Sequence, residues 1–331
     1  MMQNTNNYAA LETEISRWMA AGCGGFEDRI LEVHRFQRTH NPAYRDFCSG
    51  FPDPACWQEI PAVPVSAFKT ADLRSFPESE TIRTFETSGT TGGGPGRHHF
   101  CSLSLYEQAA TQGWAGARLP AEDVVALIPD AGGAPHSSLG QMASWLVPPD
   151  RFFFNRREEL LAFLEAAERA VIFGTALAFL DFFEWMNGRR IALPKGSLAV
   201  ETGGYKGTRR EMPKEDLYRL LQERLGLPPD SVWNEYGMTE LSSQFYTNGL
   251  GRPHRAPPWA RGLVVSPSTG IEVGEGETGI LRLFDAANLG SVCAILTRDL
   301  AIRRGEDFEL IGRDPAALPR GCSLAADELL S

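Results

Sequence analysis

The sequence predicts an α/β fold in which helices cover mainly parallel sheets, with a smaller β-rich subdomain after it. Three observations support this prediction. Strand and helix patterns alternate between residues 123 and 237, glycine-rich hairpin patterns follow from about residue 260, and 43% of the 331 residues are hydrophobic. Strand–helix alternation is typical of parallel sheets, and a chain of this length holds one large domain or one large and one small.

The N-terminal part of the chain carries helix patterns and prolines. Residues 8–20 and 26–38 have the spacing of short amphipathic helices. Residues 41–80 are rich in proline, which predicts an extended and irregular segment. We therefore expect residues 1–84 to form a helical and proline-rich wrap on the core.

The segment between residues 123 and 237 contains four short apolar runs that predict buried strands. In order, they read DVVALIPD, VIFGT, SLAVETGG and SVWNEYG. The helices predicted between them read SSLGQMASWLV, REELLAFLEAAERA, ALAFLDFFEWMNG and PKEDLYRLLQERLG. The last of these has proline at its start and glycine at its end, as helices prefer. Ligands bind to such sheets in the loops beyond the carboxyl ends of the strands.

From about residue 260 the pattern changes to β-hairpins. The stretches GLVVSPSTGIEVGEGETGILRLFD and CAILTRDLAIRRGEDFELIGRD each contain two strand patterns around glycine-containing turns. We therefore expect three parts, with residues 1–259 as the α/β core, 260–314 as a β-rich subdomain and 315–331 as a short mobile tail.

Charge and composition exclude several classes of function. The formal net charge is −10 and no long basic run occurs, which argues against a nucleic-acid partner. The first residues lack the features of a secretory signal, and no apolar stretch is long enough to cross a membrane. The six cysteines form no C-x-x-C pair and no zinc-ligand spacing, so we expect free thiols in a cytoplasmic protein.

The segment ETSGTTGGGPGRHHF, residues 86–100, has the chemistry of a phosphate-binding loop. It is neither a Walker A loop nor a dinucleotide fingerprint, because the required lysine and glycine spacings are missing. Its glycines let backbone N–H groups approach an anion, its hydroxyls donate, and Arg97 adds a positive charge. Ser104 and Glu107 then have the spacing of a capping box at a helix start. The alternative is a flexible surface loop without a ligand.

The stretch TSGTTGGGPGR resembles the phosphate loop of the adenylate-forming superfamily, which includes acyl-CoA synthetases, luciferases and nonribosomal adenylation domains. That loop typically reads T-S-G-T-T-G-x-P-K. This sequence has two extra residues around the proline, and Arg97 stands near the usual lysine. The resemblance implies that the phosphates of ATP contact Thr87, Ser88, Gly89, Thr90, Thr91 and Gly92.

Two further stretches resemble the same superfamily. PHSSLG places His136 where the family has a residue bordering the acyl pocket, although a lone histidine is as often structural. ETGGYKG resembles the strand end along the adenine, which implies adenine contacts for Gly203 and Gly204.

The stretch NEYGMTE is close to the superfamily's Y-G-x-T-E motif. The resemblance implies that Tyr236 stacks on adenine beside Gly237, that Thr239 bonds the α-phosphate, and that Glu240 helps to hold Mg²⁺. A carboxylate and a hydroxyl are suitable groups for a metal ion and a phosphate.

LTRDL and IGRD stand where the family has its ribose motif and its hinge. The resemblance implies that Asp299 binds the ribose hydroxyls, that Arg313 lies near the ribose and that Asp314 is the pivot. Arg298 replaces the usual glycine. The segment IPAVPVSAFKTADLRSF also resembles the phenylacetate–CoA ligase branch. Because 17 residues follow Asp314, we expect the family's C-terminal swinging domain, with its lysine, to be absent.

The short tail contains Cys322. Alone, it is more simply an incidental surface cysteine. A short adenylate-forming chain with a cysteine close to its C terminus, however, resembles the acyl-protein synthetases of bacterial bioluminescence, the LuxE type. The resemblance implies that Cys322 accepts the acyl group and passes it to an acyl-reductase partner.

The sequence therefore predicts a ligase that uses ATP and Mg²⁺ to convert a carboxylic acid into an acyl-adenylate, and the resemblance implies that this acid is a fatty acid. The acyl group then passes to Cys322. Two alternatives stay open. One is an aryl- or acyl-CoA ligase that lacks its C-terminal domain, and the other is a non-catalytic nucleotide-binding partner subunit.

Overall fold

The computed structural model describes residues 2–87, 94–203 and 212–313. The chain divides into two compact units that are not simple halves of the sequence. The first unit comprises Met1–Ala109, Thr239–Ser243 and Pro253–Ser331, and the second comprises Ala110–Met238 and Gln244–Arg252. Residues 260–313 therefore share a unit with the N-terminal residues.

The N-terminal part of the first unit is more helical than the prolines predict. Its elements are α1 (Met2–Ala20), α2 (Phe26–His40), α3 (Pro42–Cys48), β1 (Val63–Pro64), β2 (Arg83–Glu86) and β3 (Arg97–Phe100). Short 3₁₀ helices lie at Trp57–Glu59, Val65–Lys69 and Glu78–Glu80. The expectation of an irregular segment over 41–80 is thus wrong for α3, where the Asn41 side chain accepts the Tyr44 N–H and caps the helix.

The β-rich part of the first unit forms one five-stranded sheet. Its strands are β9 (Ala260–Val265), β10 (Thr278–Asp285), β11 (Ala294–Arg304) and β12 (Asp307–Arg313), together with β1. The order is β1-β11-β10-β9, with β12 also paired to β11. All pairs are antiparallel except β1 with β11, so the predicted hairpins are confirmed.

The second unit contains the predicted parallel sheet. Its elements are β4 (Val124–Ala126), α5 (Ser138–Leu146), α6 (Arg157–Ala166), β5 (Val171–Gly174), α7 (Ala176–Trp185), β6 (Leu198–Glu201), α8 (Lys214–Leu225), β7 (Val232–Tyr236) and β8 (Phe245–Asn248). The strand order is β4-β5-β6-β7-β8, parallel except for the last pair. The sheets are therefore mixed, and the prediction of mainly parallel sheets holds for β4–β7 alone.

Helices α6, α7 and α8 pack on one face of this sheet. Ile172 and Ala199 from the strands lie in one buried cluster with Phe179, Leu217 and Leu221 from the helices. Burying such side chains stabilises the fold, and truncating one phenylalanine in a core of this kind costs about 3–5 kcal/mol. This packing fixes the carboxyl ends of β4, β6 and β7, from which the predicted ligand loops start.

Two smaller points complete the fold. α4 (Ser104–Gly116) begins at Ser104, so this serine is the first helical residue rather than its cap, and the Ser102 hydroxyl accepts the Ser104 N–H at 3.2 Å. Within the described ranges, no helix is both long and apolar enough to span a membrane.

Candidate functional site

The ends of the predicted phosphate loop lie side by side in the first unit. β2 and β3 pair antiparallel, and beyond the last pair the Thr87 N–H donates to the Gly96 carbonyl at 2.9 Å. The Gly96 N–H donates in turn to the Thr87 hydroxyl at 2.8 Å. A side chain at position 96 would contact Thr87 and Phe68, so glycine allows this close approach. Ser88, Gly89, Thr90, Thr91 and Gly92 lie outside the described residues.

Arg97, predicted to contact phosphate, is the first residue of β3. Its side chain is 61% exposed, and its Nε lies 3.5 Å from Oε1 of Glu86 on the paired strand. An exposed ion pair of this length holds an arginine only weakly. The guanidinium is therefore available to an anion.

His98 is a functional candidate that the sequence reasoning missed. Its ring is buried, and its Nδ1 lies 2.8 Å from the backbone carbonyl oxygen of Thr239. Burial lowers the pKa of His98 to about 4, so the imidazole is neutral at physiological pH. Because a carbonyl oxygen can only accept, the Nδ1–H must donate. This bond connects β3 to a predicted α-phosphate residue.

The segment that contains Thr239 and Glu240 is held by β10 and the loop after it. The Asn288 side chain donates to the Glu240 carbonyl at 3.0 Å. The Asp285 carboxyl group accepts the Ser242 N–H at 3.0 Å and the Ser243 hydroxyl at 2.7 Å. Burial raises the pKa of Asp285 to about 6 against these donors, so the group is mainly ionised at neutral pH.

Glu240 is the residue predicted to hold a metal ion. Its side chain is 6% exposed. Among the residues that the structure describes, no group of three histidine, cysteine, aspartate or glutamate side chains could hold a metal ion. Mg²⁺ commonly uses one or two protein carboxylates together with substrate phosphates, so a single carboxylate fits this ion.

Asp299 and Arg313, predicted to contact ribose, lie opposite each other in the β11–β12 ladder. Asp299 is nearly buried, and its N–H donates to the Thr297 hydroxyl at 3.1 Å. The Thr297 hydroxyl donates to the Leu281 carbonyl on β10 at 2.7 Å. Arg298, which replaces the family's glycine, lies between Thr297 and Asp299 in the sequence and is exposed. Asp314 and Cys322 lie outside the described residues.

In the second unit, Gly203 lies in a turn that a buried glutamate holds. The Glu201 carboxylate accepts the Gly203 N–H at 2.7 Å and the Asn234 side-chain N–H at 2.7 Å. The Lys214 ammonium lies 3.8 Å from the same carboxylate. Burial raises the pKa of Glu201, although Lys214 opposes the shift. Gly203 has a φ of 63°, which glycine adopts readily, and Gly204 lies outside the described residues.

Tyr236 and Gly237 are at the end of β7, one strand away from Gly203. Tyr236 is half-buried, and its ring centroid lies 6.1 Å from that of Phe245 on β8. The neighbouring Glu235 is buried, and burial together with the charge of Glu201 raises its pKa to about 8. Glu235 is therefore mostly protonated at neutral pH.

His136, predicted to border the acyl pocket, is exposed in the turn before α5. Its neighbour Ser137 caps this helix by accepting the Gly140 N–H at 3.0 Å.

The structure thus brings three pairs of segments together. The two ends of the phosphate loop meet at Thr87 and Gly96, β3 contacts the Thr239 segment through His98, and β11 pairs with β12.

A family model for the acyl-protein synthetase LuxE matches residues 142–331, more than half of the chain. The chain belongs to the LuxE acyl-protein synthetase family. This membership indicates that the protein is a ligase.

Two curated relatives of this LuxE-family chain carry the same description. The long-chain-fatty-acid–luciferin-component ligase of Aliivibrio fischeri is 25% identical over 153 residues, which cover 43% of this chain and 39% of the relative. The Vibrio harveyi ligase of the same description is 22% identical over 138 residues, with 39% and 36% covered. The match therefore spans about two fifths of the length of these relatives.

Solved structures of a CoA ligase have a fold similar to that of the LuxE-family chain. The 2-hydroxyisobutyryl-CoA ligase in its postadenylation state with 2-HIB-AMP has a TM-score of 0.63 at 15% identity, covering 86% of this chain and 66% of that chain. The open conformation of that ligase with 2-HIB-AMP and CoA has a TM-score of 0.61 at 16% identity, covering 86% and 73%. At this identity the likeness concerns the fold alone.

Proposed function

We propose that this LuxE-family chain activates a fatty acid with ATP and passes the acyl group to a cysteine thiol. The observation that carries the proposal is the frame around residues 239–243, where His98, Asn288 and Asp285 hold the backbone. A segment held at several points keeps a hydroxyl and a carboxylate in fixed positions. Such preorganisation is what reactions between charged groups require.

In the first step, a carboxylate oxygen of the acid attacks the α-phosphorus of ATP. The bond to the bridging oxygen of the β-phosphate breaks, and pyrophosphate leaves with the electron pair. Both reactants are anions, so the site must supply donors and positive charge. We assign the Thr239 hydroxyl to the α-phosphate, and the loop of residues 87–97 with Arg97 to the β- and γ-phosphates.

Glu240 is the residue that would hold Mg²⁺. When bound, this ion neutralises phosphate charge. Because Asn288 holds the Glu240 backbone and the side chain is nearly buried, the carboxylate has little freedom to turn away. Its orientation therefore comes from the protein rather than from the ligand.

The adenosine part of ATP is assigned to backbone turns and strand ends. Gly203, Gly204 and Tyr236 would contact the adenine, with the Gly203 turn held by Glu201. Asp299 and Arg313 would contact the ribose, which suits their opposed positions in one ladder.

In the second step, the Cys322 thiolate attacks the acyl carbonyl carbon. The bond to the AMP oxygen breaks, AMP leaves, and a thioester forms. The thiol proton goes to solvent before the attack. We propose that an acyl-reductase protein then takes the acyl group through a thiol of its own.

ATP–pyrophosphate exchange with a panel of carboxylic acids tests the proposal. We expect exchange with fatty acids, followed by hydroxylamine-sensitive labelling of the protein with radioactive acid. Absence of exchange with every acid contradicts adenylation and favours a non-catalytic nucleotide-binding subunit. Exchange with CoA-dependent turnover and no labelled protein contradicts the second step and favours an acyl-CoA ligase.

A further inference from the structure

The carboxyl ends of β6 and β7 carry a network of polar side chains in the second unit. Glu201 ends β6, Asn234 lies opposite it in β7, and Lys214 begins α8. The side chain of Glu201 is 1% exposed. A buried carboxylate costs free energy, so it is retained only where donors and a positive charge compensate this cost.

The contacts of the Glu201 carboxyl group in the described residues come from donors. The Gly203 N–H and the Asn234 side-chain N–H each donate to it at 2.7 Å, and the Tyr218 hydroxyl donates at 3.4 Å. A protonated carboxyl group would instead need an acceptor for its own O–H. The network therefore fits an ionised Glu201.

Lys214 supplies a positive charge beside this carboxylate. Its Nζ lies 3.8 Å from Oε1 of Glu201 and donates to the Asn234 side-chain oxygen at 3.0 Å. Because an ammonium group can only donate, this bond fixes the orientation of the Asn234 amide, whose nitrogen then faces Glu201. Lys214 thus acts on Glu201 in two ways, by its charge and through Asn234.

A second buried carboxyl group, that of Glu235, competes with Glu201 for the negative charge. Burial and the charge of Glu201 raise the pKa of Glu235 to about 8. Burial also raises the pKa of Glu201, and the charge of Lys214 is the strongest influence against this shift. In a pair of carboxyl groups that repel each other, the neighbouring charges decide which one holds the proton. The proton therefore stays on Glu235 and the charge on Glu201.

We propose that Lys214 is a positioning residue for ATP. Its ammonium group keeps Glu201 ionised, and the Glu201 carboxylate holds the Gly203 turn at the carboxyl end of β6. Parallel α/β sheets bind ligands beyond this edge. The part of the proposal that concerns ATP rests on the proposed function, in which the Gly203 turn contacts the adenine. Lys214 itself acts through Glu201 and not on the nucleotide.

Amide hydrogen exchange at Gly203, followed by NMR on the full chain without nucleotide, tests the first step. The Lys214→Met variant removes the charge of a side chain that is 38% exposed, so it leaves no cavity in the core. We expect the Gly203 amide to exchange about tenfold faster, because a charge-assisted hydrogen bond weakens. Lys214→Arg should restore the parental rate. The matched control Lys195→Met, at an exposed position in the same unit, should exchange like the parent.

Calorimetric titration with ATP and with inorganic triphosphate, both with Mg²⁺, tests the second step. Lys214→Met should bind ATP about tenfold more weakly and triphosphate like the parent, because the Gly203 turn is assigned to the adenine. A direct attraction between Lys214 and the phosphates would weaken the binding of both ligands. In a Glu201→Gln background, Lys214→Met should cause no further loss of ATP affinity, because the charge on which Lys214 acts is gone.

An unchanged Gly203 exchange rate in Lys214→Met overturns the proposal, and so does an equal loss of affinity for ATP and triphosphate. A further loss of ATP affinity in the double variant overturns the action through Glu201. Faster Gly203 exchange with unchanged ATP affinity supports the first step and overturns the second. The expected changes in ATP affinity without ATP–pyrophosphate exchange refute the proposed adenylation alone and leave the role of Lys214 standing.

Discussion

At the scale of single residues, His98 shows how a buried neutral imidazole positions a backbone segment. It lies in the sequence directly after the glycine loop, and its Nδ1–H bonds a carbonyl 141 residues away. Its low pKa keeps the ring neutral, so no pH change in the physiological range alters this bond. The imidazole acts on the proposed chemistry through Thr239, as a positioning residue.

We expect His98→Ala to lower the free energy of unfolding by about 1–3 kcal/mol, because the carbonyl of the half-buried Thr239 loses the imidazole donor. ATP–pyrophosphate exchange should fall by at least about tenfold, since roughly 1.4 kcal/mol of lost alignment has this effect. The matched control is His99→Ala, where a half-buried ring contacts the Thr84 hydroxyl. Similar losses of exchange in both variants would refute the positioning role of His98.

Glu235 gives a pH-dependent prediction. Its pKa is raised from 4.5 to about 8, so the folded protein holds this proton more tightly than the unfolded chain between these values. Stability therefore falls as pH rises through this window, and the penalty is complete above pH 8. Glu235→Gln removes the penalty. We expect the variant to be more stable at pH 9, by at most about 5 kcal/mol, and close to the parent at pH 4.5.

Urea denaturation at several pH values measures this difference. Glu215→Gln, at an exposed position in the same unit, is the control and should show no growing difference. A constant difference between Glu235→Gln and the parent from pH 4.5 to pH 9 would contradict the assigned protonation.

At the scale of elements, β10 connects the antiparallel sheet to the proposed phosphate segment. It ends at Asp285, which bonds Ser242 and Ser243, and its other end pairs with β9 and β11. Gly279 allows this pairing, because a Cβ there would lie 2.4 Å from the backbone carbonyl oxygen of Val265. A shift in this strand therefore reaches the site.

We expect Gly279→Ala to destabilise the protein by about 1–3 kcal/mol, because a backbone carbonyl cannot move away without breaking the ladder. The control Gly116→Ala adds the same methyl group in open space at the end of α4. Thermal unfolding measures both. Equal melting temperatures for the two variants would show that β9 and β10 adapt without cost.

The agreement between the predicted and the observed structure also differs from element to element. Strands β4–β7 were predictable because each is a short apolar run between helix patterns. α3 was not, because its proline suggested an irregular chain, although proline at the first helical position is compatible with a helix. The sequence motifs identify Thr239 and Glu240, but they do not identify the side chains that hold these two residues in place. His98, Asp285 and Asn288 are distant in sequence, and ordinary buried polar residues give the same pattern.

At the scale of the whole molecule, four of the five other cysteines are poor candidates for the acyl acceptor. Burial raises the pKa of Cys23, Cys48 and Cys101 to about 11, and it raises the pKa of Cys293 further. These thiols stay protonated at neutral pH and are poor nucleophiles. Cys56 and Cys322 are the two remaining cysteines, and we propose Cys322 as the acceptor because its place near the C terminus resembles that of the acceptor cysteine in the LuxE type.

We expect Cys322→Ser to keep ATP–pyrophosphate exchange at the parental rate and to lose hydroxylamine-sensitive acylation. The reason is that the substitution removes the thiol but none of the groups assigned to adenylation. Cys101→Ser, the control, should retain both activities. A hydroxylamine-sensitive acyl-protein formed by Cys322→Ser would assign the acceptor role to another thiol.

The pairing of β1 with β11 has a consequence for how the protein is made. Val63 pairs with Ile295, so a ribosome has synthesised most of the chain before the first strand meets its neighbour. The second unit, nearly continuous in sequence, has all its strands earlier. Domains generally fold as units during synthesis, and distant pairings form slowly. We therefore expect the N-terminal helices to remain unpacked, with their apolar faces exposed, until β11 has been synthesised. A chaperone that binds nascent chains would bind these faces.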